Sequence, residues 1–362
     1  MFRRRFAAIA FLICASWPPA LAQVANGLSS GQLSEIERAI SSEMSRQNIP
    51  ALSVAIRSRG QLRFTGGFGL ADLENFVPAK ASTIYRLASI SKSVTAIAIM
   101  QLVEQGRIDL DAPVRKYVPS FPQKQWPLTI RDLLRHQGGI RHYRDDSEMN
   151  STRHYAELGD ALGIFRDDPL IFEPGTRYLY TTFGYNLLGA AVEGASGTKF
   201  TEYIRKNIFE PAGMRTIRPD DTIEIIPNRA RGYRKVLDGG IRNCALVDTS
   251  NKIPGGGLCS SAEDLVEFAR HFWAGTLLKK ETLALMLTRQ TTRDGKPTPY
   301  GLGWQIGDAP DRPWVGHGGA QAGTRTLLWM TPSGDFTVAL MANLEDVQLE
   351  PLARKIADIV LD

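Results

Sequence analysis

Ser89 and Lys92 stand three residues apart in "YRLASISKSVTAIAIMQL", where an apolar helical pattern begins. This spacing puts both side chains on one face of a helix. A serine hydroxyl attacks a carbonyl only when a base takes its proton, and a lysine can serve once burial or a nearby cation lowers its pKa. The helix N-terminus adds N–H groups that could stabilise an oxyanion. The pair predicts acyl transfer through a covalent serine; the alternative is a helix-capping Ser89 beside a solvated Lys92.

Two other stretches carry similar patterns. Ser196 and Lys199 repeat the S-x-x-K spacing in what reads as a helix end and a loop. Residues 27–31, "GLSSG", fit the G-x-S-x-G elbow of α/β-hydrolases, which requires a preceding strand and a buried helix after it. This stretch lies in a polar run near the N-terminus, so we interpret it as coincidental. Spacing alone does not separate Ser89 from Ser196.

A tyrosine adds to the case for Ser89. Tyr180 lies in "RYLYTTFGYNLLGAAVEG", in a loop ahead of an apolar helix. A tyrosine near a lysine can become a phenolate base. The alternative is an aromatic core residue, a role that Tyr178 and Tyr185 fit better.

A glycine-rich stretch near the C-terminus is a candidate substrate strand. His317, Gly318 and Gly319 occur in "WVGHGGAQAGTRTLLWM". Glycines allow another backbone to approach closely, so the triplet indicates an edge strand against which a substrate could lie. A structural histidine is the alternative for His317.

The elements around these residues predict an α+β fold. Helical spacing recurs over residues 32–47, and "ALSVAIRSRGQLRFTGGFG" reads as two strands joined at Arg59-Gly60. "GLGWQIG" and "RTLLWMTPSGDFTVALMAN" give three more strands, and residues 352–361 a final helix. We expect an antiparallel sheet flanked by the N- and C-terminal helices, in a discontinuous domain of residues 23–88 and 288–362. A helical domain, residues 89–287, is inserted between them.

Residues 1–22 read as a secretory signal peptide. Three arginines precede an apolar run too short to span a bilayer, and Ala20-Leu21-Ala22 offers a cleavage site. We therefore expect an exported, periplasmic or secreted protein with no stable membrane anchor. Removal of these residues leaves 40 basic against 38 acidic residues, which lowers the net charge from +5 to +2. Nothing in this balance indicates nucleic-acid binding.

The remaining chemistry is limited. Cys244 and Cys259 could pair as a disulfide in an exported chain, or stay two separate buried thiols. His136, His142, Asp145, Asp146 and His154 have no metal-binding spacing. We predict no metal and no organic cofactor.

The ordered set of motifs resembles the serine β-lactamase and penicillin-binding superfamily, in its class C β-lactamase-like branch. The blocks that carry the resemblance span nearly all of the chain after residue 22, and include "YRLASISKSV", "LTIRDLLRHQGGIRHY", "YTTFGYNLLGAAVE", "PGGGLCSSAEDLVEFA" and "GHGGAQAG". Two of them, "GIRHY" and "YTTFGYNLLGAAVE", are most similar to the mitochondrial serine β-lactamase-like members and their bacterial relatives. The resemblance implies the β-lactamase-like (DD-peptidase) fold.

Roles follow from the resemblance residue by residue. It implies that Ser89 is the acylated nucleophile, Lys92 its proton partner and Tyr180 a general base. His317, Gly318 and Gly319 match the Lys-Thr-Gly motif of the edge strand. By the same alignment, the N–H groups of Ser89 and Ala320 form the oxyanion hole.

The sequence departs from the family at two places. Tyr-x-Asn is here Tyr180-Thr181-Thr182, so Thr182 stands where the family has an asparagine that contacts the substrate amide. His317 replaces the lysine of Lys-Thr-Gly, which removes a permanent cation that helps bind a substrate carboxylate. Both changes weaken the case for a β-lactamase or D-Ala-D-Ala peptidase.

The sequence therefore predicts an exported serine hydrolase that acylates Ser89 and acts on a small-molecule or peptide ester or amide. A penicillin-recognising D-Ala-D-Ala peptidase or weak β-lactamase is the first alternative. A catalytically silent binding or filament-forming scaffold is the second, because the resemblance to the mitochondrial members also implies self-association.

Overall fold

A computed structural model describes residues 21–237, 239–307 and 312–362. The described strands are β1 Leu21–Ala25, β2 Ala51–Ser58, β3 Gln61–Asp72, β4 Val77–Pro78, β5 Tyr85–Arg86, β6 Arg218–Pro219, β7 Tyr233–Lys235, β8 Ile241–Asn243, β9 Leu258–Ser260, β10 Gln305–Gly307, β11 Trp314–Gln321, β12 Thr324–Met330 and β13 Phe336–Ala342. The described α-helices are α1 Ser30–Gln47, α2 Ser91–Glu104, α3 Ile130–Leu134, α4 Asp146–Met149, α5 Leu158–Leu162, α6 Thr182–Ser196, α7 Phe200–Ile204, α8 Ile253–Gly256, α9 Ala262–Trp273, α10 Lys280–Leu287 and α11 Glu350–Leu361. Short 3-10 turns precede α2, at Ala88–Ile90, and α8, at Ser250–Lys252.

The main sheet is antiparallel and runs in the order β1-β3-β2-β13-β12-β11-β10, with β4 paired to β3. The β2–β3 hairpin turns at Arg59 and Gly60, both with positive φ, as the sequence predicts. The β12–β13 hairpin, which lies within the predicted strand region "RTLLWMTPSGDFTVALMAN", turns over residues 331–335. The α+β antiparallel architecture is confirmed.

Alternation along the central strands gives the sheet two apolar faces. Leu52, Val54 and Ile56 of β2 pack in one core with α1 and α11, which contact each other. Ala55 belongs to the second core on the opposite face, where α9 contacts β2 and β13. The predicted split at residues 89 and 287 stays a prediction, and α9 lies inside that helical range although it packs on the sheet.

The helical part is built around α2, which is buried along almost its whole length. A helix that is apolar on all of its faces is typical of a protein interior. It contacts α6 and α8, and α6 also contacts α3 and α5. The first residues of α2 and α6 meet through Lys92 and Thr182, and the 3-10 turn before α2 contacts β11.

The predicted signal peptide lies outside the described residues except for its last two, which begin β1. β1 pairs with β3 from Leu21, opposite Gly67. Among the helices that the structure describes, none is both long enough and apolar enough to cross a bilayer.

Candidate active site

Ser89 lies at the centre of the 3-10 turn that leads into α2. Ala88, just before it, has a φ of 48°, a left-handed conformation that costs a residue with a side chain roughly 1–2 kcal/mol. The surrounding strands hold this turn: Thr326 Oγ1 donates to Leu87 O at 2.9 Å, and Leu87 N–H donates to Leu258 O at 2.8 Å. Ser89 itself stays partly exposed. The fold therefore presents this serine at a strained, firmly anchored turn.

The capping alternative for Ser89 does not fit the structure. The N-cap of α2 is Ile90, an apolar residue, and α2 begins at Ser91. Ser91 Oγ instead accepts the Leu258 N–H at 3.2 Å. Lys92 is not solvated, because its exposed fraction is 0%.

Lys92 contacts three oxygens. Its Nζ lies 3.1 Å from Ser89 Oγ, 3.3 Å from Thr182 Oγ1 and 2.6 Å from Gly255 O. A neutral amine has two N–H donors and one lone pair. A charged amine would donate to all three oxygens. An uncharged amine can donate to Gly255 O and Thr182 Oγ1 and accept from the Ser89 hydroxyl, so the same contacts also fit the neutral form.

Burial lowers the pKa of Lys92 well below that of an ordinary lysine, and the charge of Lys252 lowers it further. Both effects favour the uncharged amine that the hydrogen-bond geometry accommodates. The surroundings of Lys92 therefore suit the proton-accepting role that its spacing from Ser89 predicts.

Tyr180 lies on the other side of this pair. Its ring centroid is 4.8 Å from Lys92 Nζ, and its hydroxyl is hydrogen-bonded with Ser89. Burial raises the pKa of Tyr180 and outweighs the opposite effect of that bond. A raised pKa favours the protonated phenol over the phenolate that the sequence suggests, and the general-base role of Tyr180 stays a prediction.

Thr182, at the start of α6, ties Lys92 to the adjacent loop. Besides its contact with Lys92, its backbone N–H donates to His142 Nδ1 at 3.3 Å. Its side chain is also hydrogen-bonded with Tyr143. Thr182 thus orients the lysine, a role that the sequence analysis did not assign to it.

The open edge of the sheet passes beside the serine. β10 pairs with β11 only as far as Gly316, and Gly318 N–H donates to the side-chain oxygen of Gln305 at 2.9 Å. Successive N–H groups of a strand point to opposite sides, so the N–H of Ala320 faces the same edge as that of Gly318. Among the described residues, β10 has no residue paired with Ala320. Ala320 is exposed, as an oxyanion donor requires.

Gly319 lets this edge approach the serine turn. A Cβ at this position would lie 2.2 Å from both Leu87 O and Thr326 Oγ1, and 3.2 Å from the Ala88 Cβ. Atoms in contact do not come this close, so only glycine fits here. The prediction that these glycines allow a close backbone approach agrees with this packing.

His317 is fully buried and faces the interior of the site. Its Nδ1 lies 2.7 Å from Gly318 O, which can only accept, so Nδ1 carries the proton. Nε2 therefore accepts from the Tyr300 hydroxyl at 2.7 Å. Burial lowers the pKa of His317 to about 3, which keeps it neutral. The side chain therefore supports the edge strand. Its burial does not expose it to substrate, in contrast to the substrate-contacting role that the sequence predicted.

The competing motifs have structural roles. Ser196 Oγ accepts the Thr198 N–H at the end of α6, and Lys199 forms an exposed ion pair with Glu157. In the G-x-S-x-G stretch, Ser29 is the N-cap of α1 and forms a capping box with Gln32. Neither serine has a buried lysine beside it.

Of the two alternatives for the cysteines, the structure shows separate thiols: Cys244 and Cys259 are both free, Cys259 buried and Cys244 partly buried. The Cys259 Sγ faces Pro219 O at 3.8 Å, within the small sheet β5-β9-β6. A Cβ on Gly323 would lie 2.7 Å from Cys244 Sγ, so that thiol packs against the chain just after β11. Within the described part of the chain, no three His, Cys, Asp or Glu side chains are placed to hold a metal.

Sequence reasoning missed two contributors from one segment, Lys252 and the carbonyl of Gly255. The glycines of "PGGG", which begins one of the family-like blocks, are the sequence signal that the backbone approaches another element closely here. A Cβ on Gly255 would lie 2.6 Å from the Thr182 Cγ2, so the carbonyl reaches Lys92 only because the residue is glycine. His136 packs among tyrosines, with its ring centroid 4.3 Å from that of Tyr180, in keeping with a structural role.

A partly exposed serine beside a buried lysine of lowered pKa, on this antiparallel sheet with its helical insert, defines a serine hydrolase with the fold of the penicillin-binding proteins. The Beta-lactamase family model matches residues 36–361, and the chain belongs to that family. The resemblance stated from the motifs is thereby confirmed.

Several known proteins are similar to this chain over most of its length. The human mitochondrial serine beta-lactamase-like protein LACTB is 29% identical, over 85% of this chain and 76% of its own. Penicillin-binding protein 4* of Bacillus subtilis is 28% identical, over 83% of this chain and 70% of its own. Among solved structures, the octameric penicillin-binding protein homologue from Pyrococcus abyssi has a TM-score of 0.78 and 27% identity, covering 91% of this chain and 77% of that one.

Proposed function

We propose that this protein is an exported hydrolase that forms an acyl-enzyme on Ser89 and cleaves an ester or amide bond. The observation that carries the proposal is the position of Lys92. Its amine is buried, lies 3.1 Å from Ser89 Oγ, and has acceptors for both of its own N–H groups. A lysine in this state can take the serine proton directly.

The reaction runs in two halves. In the first, the Ser89 proton passes to Lys92 as Oγ bonds to the substrate carbonyl carbon, and the N–H groups of Ser89 and Ala320 stabilise the oxyanion. The bond to the leaving group then breaks as that group takes a proton from Lys92 through the Tyr180 hydroxyl. In the second half, water attacks the acyl carbon, gives its proton to the same relay, and releases the acid with Ser89 restored.

The charge state of His317 indicates which class of substrate the site favours. With a pKa of about 3, this side chain offers no cation at the position where the family has a lysine. A substrate whose recognition needs a carboxylate at this point loses that interaction. This supports an ester or amide without such a carboxylate over a D-Ala-D-Ala peptide or a β-lactam.

Two further parts of the proposal rest on other grounds. Export rests on the basic and apolar pattern of residues 1–22. Self-association, and with it the scaffold alternative, rests on the resemblance to the mitochondrial members and on the octameric state of the archaeal homologue named above.

Steady-state turnover tests the function. Purified protein without residues 1–22 is assayed with p-nitrophenyl esters, amino-acid amides, a chromogenic cephalosporin and D-Ala-D-Ala peptides, each beside Ser89→Ala. We expect ester or amide hydrolysis that Ser89→Ala abolishes. Turnover confined to the cephalosporin or the D-Ala-D-Ala peptides would favour the first alternative, and a stable protein with no turnover would favour the scaffold.

A further inference from the structure

A second lysine is buried behind the candidate active site. Lys252 is 2% exposed, its Nζ donates to Met149 O at 2.5 Å, and Nζ lies 5.3 Å from the Tyr143 ring centroid. Among the described residues, no carboxylate lies within ion-pair distance of this Nζ. An ammonium without a counter-ion is costly to bury, and such groups are concentrated at functional sites.

The segment that carries Lys252 also reaches Lys92. Three residues after Lys252, Gly255 O accepts the Lys92 amine at 2.6 Å. Tyr143, over which Lys252 lies, is hydrogen-bonded with Thr182, whose Oγ1 is 3.3 Å from Lys92 Nζ. The two lysines are therefore separated by one layer of side chains, formed by Tyr143 and Thr182.

Most of the described titratable groups around the two lysines are bases and phenols. Two carboxylates nearby are paired with arginines: Glu148, which acts on Tyr143, binds Arg141, and Asp220 binds Arg86. Arg86 acts on Lys252, and Lys252 acts on both Lys92 and His142. The groups that face Lys92 are the imidazoles of His136, His142 and His317 and the phenols of Tyr180 and Tyr185. No described carboxylate forms an ion pair with either lysine, so a positive charge on Lys252 acts on Lys92 without a direct counter-ion.

We propose that Lys252 is a positioning residue for the hydrolysis, whose buried positive charge helps burial to keep Lys92 unprotonated and ready to accept the Ser89 proton. This inference rests on the proposed function of Ser89 and Lys92 and assigns a second contribution, besides burial, to the basic state of that lysine.

The two amines differ in one kind of partner. Both face a carbonyl and an aromatic ring, which favour a cation. Only Lys92 also faces the Ser89 hydroxyl, which can donate to an uncharged amine. Burial and Arg86 lower the pKa of Lys252 to about 8, so it is mostly charged at neutral pH. The position of this cation differs from that in the family, where the lysine stands at the place of His317.

The pH profile of kcat/KM for ester hydrolysis, or of Ser89 acylation, tests this. Its acidic limb reports the fraction of unprotonated Lys92 in the free enzyme. Removing a nearby positive charge raises the pKa of Lys92, so Lys252→Met should move that limb to higher pH by about one unit. Activity should fall about tenfold below the limb and return to the parent value above it, whereas Lys252→Arg should keep the parent limb.

Several outcomes overturn the inference. One is an unmoved limb in folded Lys252→Met, and another is a loss of rate equal at every pH, which a structural role would give. If Lys252→Met does not fold, [13Cε]lysine NMR of the parent, assigned with Lys252→Arg, replaces it. Lys92 must then lose its proton at lower pH than Lys252, and the reverse order refutes the inference. A parent that shows no acylation at Ser89 would instead refute the proposed function.

Discussion

The close approach of β11 to the serine turn makes Gly319→Ala a sharp test of how the site is positioned. The added Cβ would lie 2.2 Å from Leu87 O and from Thr326 Oγ1, where ordinary contact begins near 3.4 Å. The strand must therefore move away from the turn by roughly 1 Å. A displacement of about 1 Å can cost about 10²-fold in rate.

We expect kcat/KM for a p-nitrophenyl ester to fall about 100-fold, which corresponds to about 2.7 kcal/mol of transition-state stabilisation. The same overpacking should lower the free energy of unfolding by about 1–3 kcal/mol. Thermal unfolding measured beside the kinetics separates the two effects, because the activity loss is read at a temperature where the variant is fully folded.

Gly318→Ala is the matched control. Its Cβ would lie 3.7 Å from the Gln305 side-chain oxygen and 3.9 Å from Thr326 O, which is ordinary contact. We expect this variant to keep kcat/KM within a few-fold of the parent. Equal losses in the two variants, or parental activity in folded Gly319→Ala, would refute the claim that the edge strand and the serine turn depend on this close packing.

Two further outcomes follow from the site. Because only unprotonated Lys92 accepts the Ser89 proton, and burial lowers its pKa, kcat/KM should rise with pH and reach half its plateau well below pH 10.5; a midpoint in the ordinary lysine range would contradict this. Because Cys244 and Cys259 are free thiols, dithiothreitol should leave the thermal midpoint unchanged and both thiols should react with iodoacetamide after unfolding without reductant; a lowered midpoint would contradict this.

The sheet could be predicted because its signals are local. Alternation in β2 and β3 and the Arg59-Gly60 turn specify a hairpin from neighbouring residues alone. The terminal helices follow from helical spacing in the same way. The packing of α9 on the sheet could not be predicted from local signals, since its partners β2 and β13 lie far from it along the chain.

The candidate site likewise combines features that local spacing predicts with features that depend on long-range contacts. Ser89 and Lys92 are joined by local spacing, but Ser196 and Lys199 have that spacing too. Burial separates the two pairs, and it comes from contacts such as Gly255 O with Lys92, 163 positions apart. Lys252 carried no motif, so its place behind Tyr143 is visible only in three dimensions.

The identity of the acylated residue is the most direct test of the account. The protein is treated with a fluorophosphonate and the labelled peptide is sequenced by mass spectrometry, with Ser89→Ala and Ser196→Ala in parallel. Ser196 provides the matched control, because it has the same S-x-x-K spacing without a buried lysine. We predict label on Ser89 in the parent and in Ser196→Ala, and none in Ser89→Ala. Label that persists in folded Ser89→Ala, or a parent that takes none, would contradict the account.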